Sequence, residues 1–364
     1  MNKIVYNQII LNLFLKLLFG GIMRIIKFFL IILLSCLVIS CATTITVQVK
    51  RPAQLDLNGA KTIAVLPFRP YQINDVVDVF SFIIDTIFFD YDKCNPDEKK
   101  CLDRLKNEIE IALSKSPYIS LINSSEVQRA IKNNYLNPAD VYLMGEVINF
   151  CINDIPHKTN VKVDYYDIDE EGNKKKRTEY EEKTEYSRNV RLEFVYQVVD
   201  SSTRKVISYK SVNISNESYY YDSKSKLPSA YSILENRIVG LAKKILQDLQ
   251  PYTVNKSISL LKDKSKNPDM KYADKLAKNK LINESYDEFI RIYKETELFE
   301  AGYNAASLQL ALGNLYTAKQ MMEELYIKTH DQRAIEALSD INNEITQAQR
   351  LKNQIEQKEE YLDF

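Results

Sequence analysis

Apolar residues are packed most densely near the start of the chain. From Phe28 to Ile39 they run with only Ser35 and Cys36 intervening, Arg24 and Lys27 lie just before the run, and no Asp or Glu occurs in the first forty positions. A basic stretch followed by an apolar run shorter than the roughly 20 residues of a spanning helix is the layout of a secretory signal. Residues 1–40 are therefore set aside from fold reasoning. Met23 is an alternative start that would leave 1–22 outside the protein. Residues 41–60 read as an extended, solvated tether. The short run Thr62-Ile63-Ala64-Val65-Leu66, stopped by Pro67, predicts a strand buried on both faces. Tyr118–Ile122 and Val141–Ile148 predict two more. A helix is expected over 75–89, a loop over 90–100, and another helix through Leu102, Leu105, Ile109 and Leu113. Ser125-Glu126-Val127-Gln128 has the arrangement of a capping box opening a helix.

Between Asn160 and Tyr186 charge density rises, and Glu171-Gly172-Asn173 offers a hairpin turn. Val190, Leu192, Phe194, Tyr196 and Val198 alternate with polar residues, which predicts a half-buried strand, with Val206–Ser215 returning as its partner. Leu234, Ile238, Leu241, Ile245 and Leu249 define an amphipathic helix ending before Pro251. The sum is an α/β or α+β mixed-sheet domain over 61–255. After residue 260 the spacing turns helical throughout. Five helices are expected, the third closed by Gly313-Asn314, making 265–364 an all-α, helical-repeat-like domain.

Composition narrows the function. The chain has 364 residues, 45% apolar and 27% charged, with 49 basic and 49 acidic side chains. Removing Lys3, Lys16, Arg24 and Lys27 with the signal leaves a mildly acidic protein, which argues against a nucleic-acid partner. Eight Gly, two His and no Trp leave little material for phosphate cradles or imidazole catalysis. Cys94 and Cys101 are spaced to close a small loop, with Cys151 then a buried free thiol. No metal, cofactor or catalytic residue is expected: His157 and His330 read as surface residues, and the oxygen-rich Asp90–Asp97 stretch lacks the Gly of a tight calcium loop.

Three resemblances add an address and a class. Val38-Ile39-Ser40-Cys41 resembles the bacterial lipobox, which implies acylation, with palmitate among the lipids, at Cys41; Leu33-Leu34-Ser35-Cys36 offers Cys36 as the alternative. Two acyl chains would hold the protein at a membrane without spanning it, and by analogy with lipoprotein sorting the outer membrane is the expected location. Thr62–Phe68 together with Ala139-Asp140-Val141-Tyr142-Leu143-Met144-Gly145-Glu146-Val147 looks like the domain of the curli-secretion channel lipoproteins and their penicillin-binding-protein-activator relatives. Tyr303-Asn304-Ala305-Ala306 with Ala311-Leu312-Gly313-Asn314-Leu315-Tyr316-Thr317-Ala318 is similar to a tetratricopeptide repeat. That last resemblance implies a protein-binding surface.

The expected partner-facing residues are Tyr303, Asn304, Leu308 and Tyr316. Tyr219 and Tyr220 form a second candidate, because Tyr is favoured where proteins meet; packing along an edge strand is the alternative. The expected function is that of a non-enzymatic, lipid-anchored envelope protein whose C-terminal helices bind another envelope protein. The alternative is a subunit of an oligomeric secretion channel, whose hairpin over 157–190 would enter lipid. A spanning strand needs apolar side chains on alternate positions. Glu170–Glu185 instead holds five Lys or Arg and six Asp or Glu, so an exposed, solvated hairpin is expected there. The oligomeric state stays open.

Overall fold

The computed structural model describes residues 43–71, 94–133, 135, 137–168, 170, 172–263 and 267–359. The expected helix over 75–89 and both candidate lipidation cysteines lie outside them. The described residues form a mixed α/β protein with two sheets and eight helices. Two compact units divide the described residues: those within 49–254 with 346–359, and 43–48 with those within 255–345.

The first unit is built on a five-stranded sheet in the order β3-β2-β4-β5-β6. Its strands are β2 (Thr62–Val65), β3 (Ser120–Ile122), β4 (Val141–Ile168), β5 (Lys174–Asp200) and β6 (Val206–Glu217). β2 runs parallel to β3 and β4, whereas β4, β5 and β6 form an antiparallel meander. The helices are α1 (Pro96–Leu113), α2 (Ser124–Lys132) and α3 (Ala230–Leu249). Apolar runs without alternation sit at the sheet centre for a physical reason. Ile63, Val65 and Leu143 pack with Leu105, Ile109, Leu234 and Ile238, while Ala64, Leu66, Tyr142 and Met144 pack with Val127 and Ile131 on the other face. Gly145 is required between β4 and β5: a Cβ there would lie 2.4 Å from Phe194 Cζ and 2.8 Å from the Val195 carbonyl.

Two local expectations are corrected here. The stretch 90–100 is not all loop, because Asn95 caps α1 by accepting from the Asp97 and Glu98 amides and Pro96 takes the first turn, where its missing N–H costs nothing. The capping box at Ser125 is displaced as well, since Asn123 accepts from the Ser125 amide and the helix starts at Ser124.

The β4–β5 hairpin is far longer than the sheet that supports it. β4 has 28 residues and β5 has 27, and they stay in register from Val141↔Asp200 to Ile168↔Lys174 with one irregularity between Val147 and Asn149. β6 accompanies β5 only from Asn189 to Val199, and β2 reaches β4 only as far as Leu143. Beyond Pro156 and Tyr186 the hairpin is a two-stranded arm about 40 Å long, turning at Gly172 with φ 83°. Its outer half is exposed on both faces, the solvated hairpin that the charge pattern predicts.

The tether expectation fails. Thr43–Arg51 is a strand, β1, paired in a two-stranded sheet with β7 (Tyr252–Leu260). In the second unit α4 (Pro268–Lys278), α5 (Ile282–Thr296), α6 (Phe299–Ala311), α7 (Leu315–Thr329) and α8 (Gln332–Glu359, through Ile345) pack in succession. Left-handed residues Glu297, Gly313 and His330 end α5, α6 and α7. Small residues bring these helices close: a Cβ on Gly302 would meet the Tyr293 ring at 2.9 Å and Leu325 at 3.0 Å. The core runs through Ala273, Phe289, Ala301, Ala305 and Leu308, then Ala306, Ala318, Met322 and Ala334.

Candidate functional site

On α6 the expected partner-facing residues part company. Asn304 and Leu308 are fully buried, each 0% exposed, so neither can meet a partner. The Asn304 amide donates to the Leu261 carbonyl at 2.9 Å and accepts from the Leu261 N–H at 2.6 Å. It satisfies both main-chain groups just after β7, a burial that would otherwise cost several kcal/mol. Tyr303 is half-buried, its ring 6.0 Å from that of Phe299. Burial, then the Asp340 carboxylate, pushes its hydroxyl above the ordinary tyrosine range, with Arg333 opposing. Arg333 lies 4.4 Å over the Phe299 ring and bonds Asp331 at 2.8 Å. Tyr316, in the first turn of α7, is 65% exposed. Phe299, Tyr303 and Arg333, with exposed Glu336 and Asp340 beside them, make an aromatic and charged patch on α6 and α8.

The second candidate surface lies at the root of the arm. Tyr219 and Tyr220 are 88% and 60% exposed. They belong to the segment after β6 that returns to the hairpin, where Tyr221 and Tyr186 exchange two main-chain hydrogen bonds of 2.8 and 2.7 Å. One step up the ladder, Arg188 forks onto Asp154 at 2.6 and 2.9 Å and donates to the Pro228 carbonyl at 3.0 Å. The guanidinium holds the Asp154 carboxyl below the usual carboxylate range.

Ser187 has 0% exposure and stands between His157 Nε2 at 2.9 Å and Glu217 Oε1 at 2.5 Å. These are the residue types of a hydrolytic triad, but their order is wrong. A carboxylate only accepts, so the hydroxyl proton goes to Glu217 and His157 must donate from Nε2. A serine nucleophile needs the imidazole to take that proton and a substrate to reach its oxygen. Ser187 has neither, and the trio braces the arm. His157 is thus a half-buried brace residue, 4.6 Å from the Tyr220 ring, and not the surface residue its sequence context suggests. Sequence offered no signal for this network, because its members lie thirty residues apart and meet only through register.

No disulfide joins Cys94 and Cys101. Cys101 is buried, and burial with nearby Asp97 and Glu98 pushes its thiol up to about 12. Cys151 is exposed and not the buried thiol expected, because it lies on β4 beyond the point where β2 covers that strand. His330 is the left-handed residue ending α7, edge-on to Tyr326. Among the described residues no group of His, Cys, Asp and Glu could hold a metal ion, and no helix is long and apolar enough to cross a membrane. A cavity of about 70 Å³ lined by Leu55, Leu57, Tyr118, Ile119, Leu249 and Gln354 is well below the several hundred Å³ of a small-molecule site.

No protein-family model and no curated protein matches the chain. Solved structures show slight likenesses. The PelC dodecamer from Paraburkholderia phytofirmans has 14% identity, a TM-score of 0.25, and alignment over 57% of this chain and 98% of that one. Lipoprotein GNA1162 from Neisseria meningitidis has 11% identity and a TM-score of 0.26, over 51% of this chain and 98% of that one. A Xanthomonas campestris protein assigned to the DUF330 family model has 8% identity and a TM-score of 0.27, over 55% and 87%. Likenesses of this size leave the assembly and activity of those proteins with those proteins.

Proposed function

We propose that the protein is a lipid-anchored envelope protein of the outer membrane that carries out no chemistry of its own and binds another envelope protein through its C-terminal helices. The anchor is Cys41 of the lipobox-like Val38-Ile39-Ser40-Cys41, with Cys36 the alternative. Binding falls to the tetratricopeptide-like helices α4–α8. The observation that carries this reading is the α6–α8 patch, where Phe299, half-buried Tyr303 and Arg333 lie beside exposed acids, with Tyr316 65% exposed on α7. Aromatic and Arg side chains of this kind are the usual anchors of protein interfaces. The test is purification of the full chain from cross-linked envelopes, wild type against Tyr303→Ala/Tyr316→Ala. A partner recovered with the wild type and lost with the variant supports the reading; identical recoveries, or no partner at all, contradict it.

The length of the β4–β5 arm favours a second reading, a subunit of a curli-secretion-type channel. Charges on both faces of the arm weigh against lipid insertion, at about 2–4 kcal/mol for each Lys or Arg at the midplane. Ring-shaped particles in detergent or conductance in bilayers would support it, and a protein that is monomeric in detergent would exclude it.

A further inference from the structure

Away from β4, β5 has no strand beside it from Lys174 to Glu185 among the described residues, and positions 174–183 are exposed. An open edge of this kind is a template for another strand, and a two-stranded ribbon alone is marginal in water. The sequence along this edge is Lys174-Lys175-Lys176-Arg177-Thr178-Glu179-Tyr180-Glu181-Glu182, four cations and three acids arranged about one central residue. We propose that this edge pairs antiparallel with the same edge of a second copy about a two-fold axis at Thr178, giving a continuous four-stranded sheet. The proposal rests on the arm alone and is independent of the partner reading for α4–α8.

The register follows from the pleat. In a two-fold antiparallel pair, opposed residues must lie on the same face, so the axis passes through a residue and not between two. Centred on Thr178, Arg177 faces Glu179 of the second copy, Lys175 faces Glu181 and Lys174 faces Glu182. Lys176 meets the ring of Tyr180, which is 72% exposed and open to a cation on its face. Each contact is made twice by symmetry, and no like charges are directly opposed. The other open edge of the arm lacks this property: within 158–168 no two-fold register of β4 opposes more than one kind of ion pair, Lys158 or Lys162 with Asp164. The ion pairs that these side chains make within one chain, Arg177 with Asp167 and Glu179, Lys176 with Asp164 and Lys158 with Glu182, join solvent-screened side chains, so they yield readily to new partners. A channel-type ring would instead join β4 of one copy to β5 of the next, and two Thr178 residues would never meet.

The full chain in mild detergent, under mild oxidation, tests this. At the axis the two Thr178 Cα atoms would be about 4.5–5.5 Å apart, within disulfide range. Two residues along, the copies of position 180 would be about 14 Å apart. Thr178→Cys is expected to give at least tenfold more disulfide-linked dimer than Tyr180→Cys, both with the native cysteines in place. Adding Glu179→Lys/Glu181→Lys/Glu182→Lys should abolish that dimer. Mixing this chain with one bearing Thr178→Cys and Lys174→Glu/Lys175→Glu/Arg177→Glu should restore it as a heterodimer, which also shows that both variants are folded. Equal yields at positions 178 and 180, an undiminished dimer in the triple-Lys variant, or no heterodimer on mixing would overturn the proposal.

Discussion

Tyr196 donates its hydroxyl proton to Asp248 over 2.7 Å, joining β5 to the last turn of α3. Asp248 is only 2% exposed and also accepts from Lys210 at 2.6 Å. Burial, then this bond, pushes the Tyr196 hydroxyl well above the ordinary tyrosine range. A bond to a charged acceptor contributes about 1.5–3 kcal/mol. Tyr196→Phe is therefore expected to lower the melting temperature by about 3–10 °C, measured by calorimetry. An unchanged melting temperature would mean that Lys210 alone satisfies Asp248.

Two glycines should respond oppositely to alanine. Gly145→Ala sets a methyl against the Phe194 ring and the Val195 carbonyl, and overpacking of this kind costs about 1–3 kcal/mol. Gly240, inside α3, has nothing within 4 Å of an added Cβ, so Gly240→Ala should stabilise by about 0.5–1 kcal/mol. Urea denaturation of both variants reads the two signs, and a destabilised Gly240→Ala would contradict the packing described for α3.

The root of the arm should loosen in acid. Asp154 is held below the usual carboxylate value of about 3.9, chiefly by its hydrogen bond from Arg188. A depressed folded-state pKa contributes stability above the unfolded value, and that stability is lost as pH falls through the folded value. Amide exchange at Tyr186 and Tyr221, corrected for intrinsic rates, should therefore accelerate below about pH 4. In Arg188→Met that step should vanish, and a step of equal size in both proteins would assign it to another group.

Much of the first unit was legible because its strands carry local signals. Ile63–Leu66 is apolar without alternation and lies at the sheet centre, and Val190–Val198 alternates and lies where one face is covered. β1 and β7 were missed although Val254, Ile258 and Leu260 alternate with polar residues. Each is a strand only because the other pairs with it, across two hundred residues of sequence. The arm's charge pattern gave its exposure but not its length, since register carries it unbroken from Asn149 to Ile168 through Pro156. β4 is unaccompanied on its outer side there, a position where proline is tolerated. Asn304 shows the limit of reading a site from a repeat-like pattern. Its position suggested a partner contact, whereas its amide serves the backbone of Leu261, forty-three residues away.

Acylation is a separate and direct prediction. Growth with a radiolabelled fatty acid should label the full chain, and Cys41→Ala should lose the label while Cys36→Ala keeps it. The reverse pattern would move the anchor to Cys36. Label in neither parent nor variants would show that the protein carries no lipid anchor.

If the helices α4–α8 hold a protein partner in the envelope, that partner must lie within reach of their exposed side chains and not of their core. Photo-cross-linking in intact cells from a benzophenone side chain placed at Tyr316, 65% exposed, and at Leu308, 0% exposed, tests it most directly. One discrete adduct is expected from position 316, absent from position 308 and lost when Tyr303→Ala is added. No adduct from position 316, or the same adduct from both positions, would contradict it.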